Sequence, residues 1–271
     1  MKRRRTLYEL VFKRLIDFVA AIILLIILSP IMILVVIFEW IFHGRGVLFK
    51  QRRVGKNRKV FWVYKFRSMS NKKDINGNLL PDKDRITKFG KFIRKTSLDE
   101  LPQLFNILKG DMSLIGPRPK DIKECVFFND RQCQRYLVRP GLTGLQQVSG
   151  RNKLNFEGVV ELDLKYIKKI TFLKDLWIFI KTFFVVLLQK DIDSGNQSAD
   201  NFCYYYNDLL LQRGDITKEE YDARIAFSKT LKVGETMPTI DEQRNKEMGK
   251  VVDILTKEIK NYKVETEAKV G

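Results

Sequence analysis

Residues 18–38 read FVAAIILLIILSPIMILVVIF, 21 residues without a charge. Wound as an α-helix, this stretch extends roughly 32 Å, enough to cross a hydrocarbon core of about 30 Å. It is longer than the apolar region of a cleavable leader and no small-x-small cleavage site follows it, so it is expected to stay in the membrane. Two features argue against a plain spanning helix. Ser29-Pro30 falls at the midpoint, where proline removes a backbone donor and crowds the preceding turn. Both flanks are also basic, with Lys2, Arg3, Arg4, Arg5, Lys13 and Arg14 before the segment and Arg45, Lys50, Arg52, Arg53, Lys56, Arg58 and Lys59 after it. A spanning helix concentrates Lys and Arg on its cytoplasmic side, and here both ends ask for that side. A helix broken at Ser29-Pro30 that enters and leaves by one leaflet satisfies both flanks; a kinked spanning helix is the alternative.

The charge of the whole chain points the same way. Its 271 residues carry 50 Lys and Arg against 32 Asp and Glu, a formal balance of +18. Residues 1–73 hold 17 of these cations and 3 of the acids, leaving only +4 for the other 198 residues. Such a balance calls for a polyanionic partner, and its place around an apolar segment favours an anionic lipid surface over nucleic acid. With 45% hydrophobic residues the chain can build a core, which excludes global disorder. Cys125, Cys133 and Cys203 form no CxxC pair and suit a reducing compartment. A single histidine, His43, removes histidine triads and multi-histidine metal sites from consideration.

Beyond the membrane segment, 47–54 (VLFKQRRV) and 60–67 (VFWVYKFR) predict a β-hairpin turning at Gly55-Lys56-Asn57. Polar 71–85 predicts a loop, and helical patterns follow at 87–95, 100–109, 120–137 and 154–170. Residues 176–188 (LWIFIKTFFVVLL) are too short to span and predict a buried or interfacial helix. A polar linker at 191–201 precedes a helical pair at 202–213 and 217–231, and a further helix is expected within 240–262. The expected class is therefore α+β and mostly helical. Its divisions are 1–45 (re-entrant membrane helix with basic flanks), 46–190 (cytosolic catalytic domain) and 191–271 (helical C-terminal extension).

The chemistry gathers at Arg94-Lys95-Thr96-Ser97-Leu98-Asp99-Glu100-Leu101-Pro102. Pro102 is tolerated only in a first helical turn, which puts Asp99 and Glu100 at a helix N-terminus, where the dipole favours an anion. Arg94 and Lys95 add charge that keeps a carboxylate ionised while an anionic substrate approaches. Lys65 and Arg67 end the second predicted strand, Arg118 sits in the rigid Gly116-Pro117-Arg118-Pro119 turn, and Arg151 closes a glycine-rich stretch. An arginine in such a turn suits a bidentate grip on phosphate. Taken singly each motif is ordinary structure; together they describe a polyphosphate site beside a membrane.

KRLIDFVAAIILLIILSPIM (13–32), VYKFRSM (63–69), SLDELPQLFNILKGDMSLIGPRP (97–119) and VRPGLTGLQQVSGRN (138–152) resemble the bacterial sugar transferase family, the monotopic phosphoglycosyl transferases. The resemblance covers about residues 10–190. It implies transfer of a sugar-1-phosphate from a UDP-sugar to a polyprenyl (undecaprenyl) phosphate, with release of UMP, at the start of glycan assembly on the bacterial inner membrane. It implies Asp99 as the nucleophile that forms a covalent aspartyl-phosphosugar, Glu100 as the Mg²⁺ holder, and Lys65, Arg67, Arg94, Arg118 and Arg151 as substrate-binding cations. It also implies Ser29 and Pro30 as the break of the re-entrant helix, with catalytic domain and both termini cytoplasmic. The chain shows none of the multi-span N-terminal region of larger members and departs from small members beyond about Asp191. A homodimer mate or pathway glycosyltransferases remain open as further partners, and the sugar is not named by these motifs.

Two other readings compete with this one. A nucleotide-sugar glycosyltransferase with an Asp-x-Asp metal motif is offered by Asp82-Lys83-Asp84 and by Asp191-Ile192-Asp193, but neither follows a convincing strand and no run of βα units supports the sheet. A non-enzymatic, membrane-anchored basic binding protein lacks any nucleic-acid-binding motif.

Overall fold

The computed structural model describes residues 3, 5–150, 156–188 and 201–245. A π-helical turn at Tyr8–Phe12 leads into α1 (Lys13–His43). This helix is long and apolar enough to cross a membrane, and its apolar side chains are largely exposed, Ile26 at 68% and Trp40 at 64%. Pro30 lies inside this helix, which runs on through Ser29-Pro30. Proline has no N–H for the carbonyl four residues back, that of Ile26, and Ser29 Oγ donates to it instead at 2.8 Å. The Ser-Pro pair is thus a matched set in which the hydroxyl satisfies the carbonyl that the proline orphans.

β1 (Leu48–Val54) and β2 (Val60–Phe66) form the expected antiparallel hairpin, from Leu48 opposite Phe66 to Val54 opposite Val60. Asn57 and Arg58 turn it through left-handed conformations (φ 57° and 62°). The 71–85 loop ends in a single turn, α2 (Asp82–Arg85), ahead of α3 (Lys88–Lys95) and α4 (Gln103–Lys109). A short strand, β3 (Ser113–Ile115), comes next. The helix expected at 120–137 is instead three short pieces: α5 (Ile122–Cys125), α6 (Asp130–Cys133) and a 3₁₀ turn at Gln134–Leu137. The interruption is local, because Asn129 and Gln132 build a capping box that starts α6 afresh.

β4 (Gly141–Thr143) pairs in parallel with β3, a pairing the turn-rich sequence did not announce. The glycines of these turns serve this contact: a Cβ on Gly141 would lie 2.1 Å from the Gly116 nitrogen. α7 (Leu145–Val148) and α8 (Phe156–Lys168) complete the core beside α9 (Phe172–Leu187). α9 buries only Asp175 and Ile178 and exposes Leu173, Trp177, Ile180, Phe183 and Leu187. A helix so apolar and so exposed is not a core helix, which favours the interfacial reading of 176–188.

α10 (Asn201–Arg213) and α11 (Lys218–Thr230) match the expected pair, and residues 240–245 begin the third helix; the rest of that expectation lies outside the described residues. This described part of the extension joins the main core. Ile216, Leu231, Met237 and Ile240 lie in one cluster with Phe127, Phe128 and Phe156, and Tyr206 stacks on Phe156 at 3.8 Å. Val60 N–H donates to Glu235 O, and Gly234 N–H to Val60 O, so the segment closes the open edge of β2.

Candidate active site

α3 is N-capped by Thr87, whose side chain accepts from Gly90 N–H. Gly90 permits its close approach to the 67–70 loop, since a Cβ there would stand 1.9 Å from Ser68 O. Arg94, on the last turn of α3, then donates from Nε to Ser68 Oγ at 2.7 Å. Ser97, in the left-handed region at φ 58°, stops the helix and turns the chain. Leu98–Glu100 forms a separate 3₁₀ turn, with Pro102 as the N-cap of α4. The two carboxylates therefore sit on a 3₁₀ turn that runs into α4 through Leu101 and Pro102, both in the right-handed helical region, at the start of a helical segment as expected.

Leu98 and Leu101 flank the acidic pair and pack with Met32 and Val35 of α1, Phe66, Phe89 and Ile93. That cluster sets the acids against the C-terminal half of the membrane helix. β2 reaches the same turn through Asn106, which is fully buried on α4. Asn106 accepts from Tyr64 N–H at 3.1 Å and donates to Trp62 O at 2.6 Å, bridging the β2 edge. This clip aligns Lys65 with Glu100. The signal in the sequence was an asparagine inside the apolar run LFNIL, where a buried amide needs partners. Asn106→Ala would leave both strand groups unpaired, costing about 1–3 kcal/mol; the check is a fall in melting temperature accompanied by reduced turnover.

Glu100 is the paired member. Lys65 Nζ donates to its Oε1 at 3.1 Å, and Arg118 forks onto both oxygens, Nη1 to Oε2 at 3.2 Å and Nη2 to Oε1 at 2.5 Å. Although burial works to raise its pKa, these two cations hold the carboxyl well below the usual range. Asp99 is 7% exposed and accepts no hydrogen bond from a described residue. Burial and the neighbouring Glu100 charge push its carboxyl up to about 6, against the opposing fields of Lys65, Arg94 and Arg118. Adjacent acids are thus driven apart: one locked in ion pairs, the other desolvated with its oxygens open. Arg118 is held from behind by Arg135, which donates to the Arg118 carbonyl at 2.8 Å and to Asp163 at 2.6 Å, an ion pair 1% exposed on both sides. Neither Arg135 nor Asp163 lay in a motif that sequence reading singled out.

Three of the expected cations, Lys65, Arg94 and Arg118, act on Asp99 and Glu100, and Arg67 does not. The Arg67 guanidinium goes to the His43 and Arg45 carbonyls just past α1, so it fastens the membrane helix to the strand that carries Lys65. Arg151 lies outside the described residues. Of the Asp-x-Asp candidates, Asp82 sits exposed on the α2 turn beside Arg85, and 191–193 lies outside the described residues. The described residues hold only two-stranded sheets, which removes the βα sheet that a nucleotide-binding glycosyltransferase requires.

An acidic pair, Asp99 buried and Glu100 half-buried, ringed by three cations and set against an exposed apolar helix, has the charge arrangement of an anion-binding site. The chain belongs to the bacterial sugar transferase family, whose sequence profile matches residues 8–189. It is 43% identical over 194 residues to the uncharacterized sugar transferase EpsL of Bacillus subtilis, covering 71% of this chain and 96% of that protein. Over 192 residues it is 44% identical to the undecaprenyl-phosphate galactose phosphotransferase of Salmonella typhimurium, covering 65% of this chain and 40% of that one. A UDP-N-acetylgalactosamine-undecaprenyl-phosphate N-acetylgalactosaminephosphotransferase of Aeromonas hydrophila is 40% identical over 184 residues, covering 65% and 43%. The chain thus spans about two fifths of the length of these last two relatives.

Proposed function

We propose that this sugar transferase moves a sugar-1-phosphate from a UDP-sugar to a polyprenyl phosphate through a covalent intermediate on Asp99. The observation that carries the proposal is the asymmetry of the acidic pair: Asp99 open and desolvated, Glu100 clamped by Lys65 and Arg118. An oxygen of ionised Asp99 attacks the sugar-bearing phosphorus, the bridging P–O bond breaks, and UMP departs with that oxygen. A phosphate oxygen of the lipid then attacks the same phosphorus and Asp99 leaves, giving a polyprenyl diphosphate sugar. Lys65, Arg94 and Arg118 balance the charge of the donor diphosphate as it nears the acids. The relatives whose names specify undecaprenyl phosphate support the choice of acceptor.

Magnesium fits the residues present. No cluster of three or more metal-ligating side chains occurs among the described residues, and Mg²⁺ is commonly held by one or two carboxylates together with substrate phosphates. Glu100, next to Asp99, would hold it after yielding part of its contact with Lys65 and Arg118. Bound there, it supplies charge neutralisation on the diphosphate.

Both ends of α1 are held by the same polar domain, which supports entry and exit on the cytoplasmic face. Near the start, Lys13 pairs with Asp175 at 2.6 Å, Arg14 donates to the Ile107 carbonyl at 2.6 Å, and Asp17 accepts from Leu114 N–H at 3.0 Å. At the far end, His43 meets Thr87 at 2.9 Å. The exposed α9 would lie along the same membrane surface, in the bacterial inner membrane. A cysteine placed at position 2 is expected to stay unlabelled when a membrane-impermeant thiol reagent is applied to intact cells; labelling there contradicts the re-entrant course.

Purified protein incubated with radiolabelled UDP-sugars, Mg²⁺ and undecaprenyl phosphate tests the reaction. Label in the lipid phase with UMP release is the expected result, and UDP release would point to direct glycosyl transfer instead.

A further inference from the structure

The single histidine of the chain is buried at the end of the membrane helix in a linear hydrogen-bonded array. His43 Nδ1 lies 2.8 Å from Glu39 Oε2, one helical turn back, and both side chains are fully shielded from solvent. Its Nε2 lies 2.9 Å from Thr87 Oγ1. Thr87 Oγ1 already accepts from Gly90 N–H at 2.9 Å as the cap of α3, so its hydroxyl proton is available to point at Nε2. Nε2 then accepts, and the Nδ1–H donates to the Glu39 carboxylate. One neutral tautomer satisfies all three contacts.

Ionisable side chains on a membrane helix are costly to bury and call for a reason beyond packing. Apolar contacts already press α3 onto α1, with Phe89 5.8 Å from Phe38 and 5.3 Å from Phe42, ring centre to ring centre. Such contacts attract without fixing rotation about the helix axis, whereas the hydrogen bond between His43 and the N-cap fixes it together with the close approach of Gly90 to Ser68. Arg94 projects from the same eight-residue helix, two turns on, toward Ser68 and Asp99. The site has little slack: Glu39 Oε1 and Arg67 Nε are buried there without a partner among the described residues. Losing His43 would strand the Glu39 Oε2 and Thr87 hydroxyl as well.

We propose that His43 is a positioning residue for Arg94: held in one tautomer by Glu39, it grips Thr87 and sets the rotation of α3 that brings Arg94 to the acidic pair. The proposal rests on the sugar-phosphate transfer reading, in which Arg94 binds phosphate, and it makes the end of the membrane helix a part of substrate recognition.

UMP, the leaving nucleotide, serves as the test ligand, titrated calorimetrically with Mg²⁺ into the full-length protein in detergent. His43→Asn keeps an amide within reach of Glu39 only, while His43→Gln places its amide near the Nε2 position and can still hold Thr87. His43→Asn is expected to weaken UMP binding about tenfold, as is Arg94→Ala, with their double variant no weaker than Arg94→Ala alone. His43→Gln and Thr87→Ser are expected to stay within about threefold of the wild type. Wild-type affinity in His43→Asn, multiplied losses in the double variant, or equal losses in Asn and Gln would each overturn the proposal. No UMP binding by the wild type itself would instead overturn the reading of a UDP-sugar donor with UMP release, and this proposal with it.

Discussion

Asp99→Asn is expected to reduce lipid-linked product by about 10⁴-fold or more, because no other described side chain offers an open, buried carboxylate at the site. The same substitution is expected to raise the melting temperature at pH 7.5. The Asp99 carboxyl titrates near 6 in the folded chain against an ordinary 3.8, so the fold favours its protonated form. That contribution to stability is fully present below about pH 4 and is lost as pH rises through about 6. At neutral pH the ionised carboxylate costs the fold about 2–3 kcal/mol, which a neutral isostere avoids. A dead variant that melts several degrees higher would show strain stored for chemistry; a dead variant that melts lower would contradict it. The titration also sets the acid limb of kcat/KM near pH 6, with activity falling about tenfold per unit below it. Glu100→Gln removes the neighbouring charge and frees Lys65 and Arg118, so the residual activity is expected to have its acid limb at lower pH.

Truncation after residue 190 is expected to yield aggregated or unfolded protein. The described part of the extension buries Ile216, Leu231, Met237 and Ile240 in the common core, each worth about 1.5–3 kcal/mol. That total is comparable with the whole stability of an ordinary domain. Its loss would also uncover Phe127 and Phe128, and reopen the β2 edge that Gly234 and Glu235 close. Arg58, which pairs with Glu242 at 2.7 Å, would lose its partner too. Soluble, monodisperse truncated protein with wild-type turnover would show the extension to be a separable appendage.

Much of the site was legible because its residues are close in sequence. Arg94, Asp99 and Glu100 span seven positions, and a proline with a left-handed turn fixes them locally. Lys65 and Arg118 were legible as cations in rigid settings, although not as partners of Glu100. Arg67 shows the limit: its charge was plain, but its guanidinium goes to backbone carbonyls past α1, and only folding decides which acceptor is nearest. Asn106, Arg135 and Asp163 escaped notice because each acts through a contact between segments distant along the chain. The parallel β3–β4 pair escaped for the same reason, since three-residue strands carry too short a pattern to declare a period.

The sequence by itself determined the long apolar helix, the hairpin, the helical pair of the extension, the family and the candidate acidic pair, because periodicity, charge and short-range turn chemistry are local properties. Only the tertiary structure decided how the two acids differ. Burial and the arrival of Lys65 and Arg118 from two other segments clamp Glu100 and leave Asp99 open, and a desolvation energy exists only once the chain has closed around the group. It also decided that Ser29 makes good the bond Pro30 forfeits, and that both ends of the membrane helix fasten to one domain.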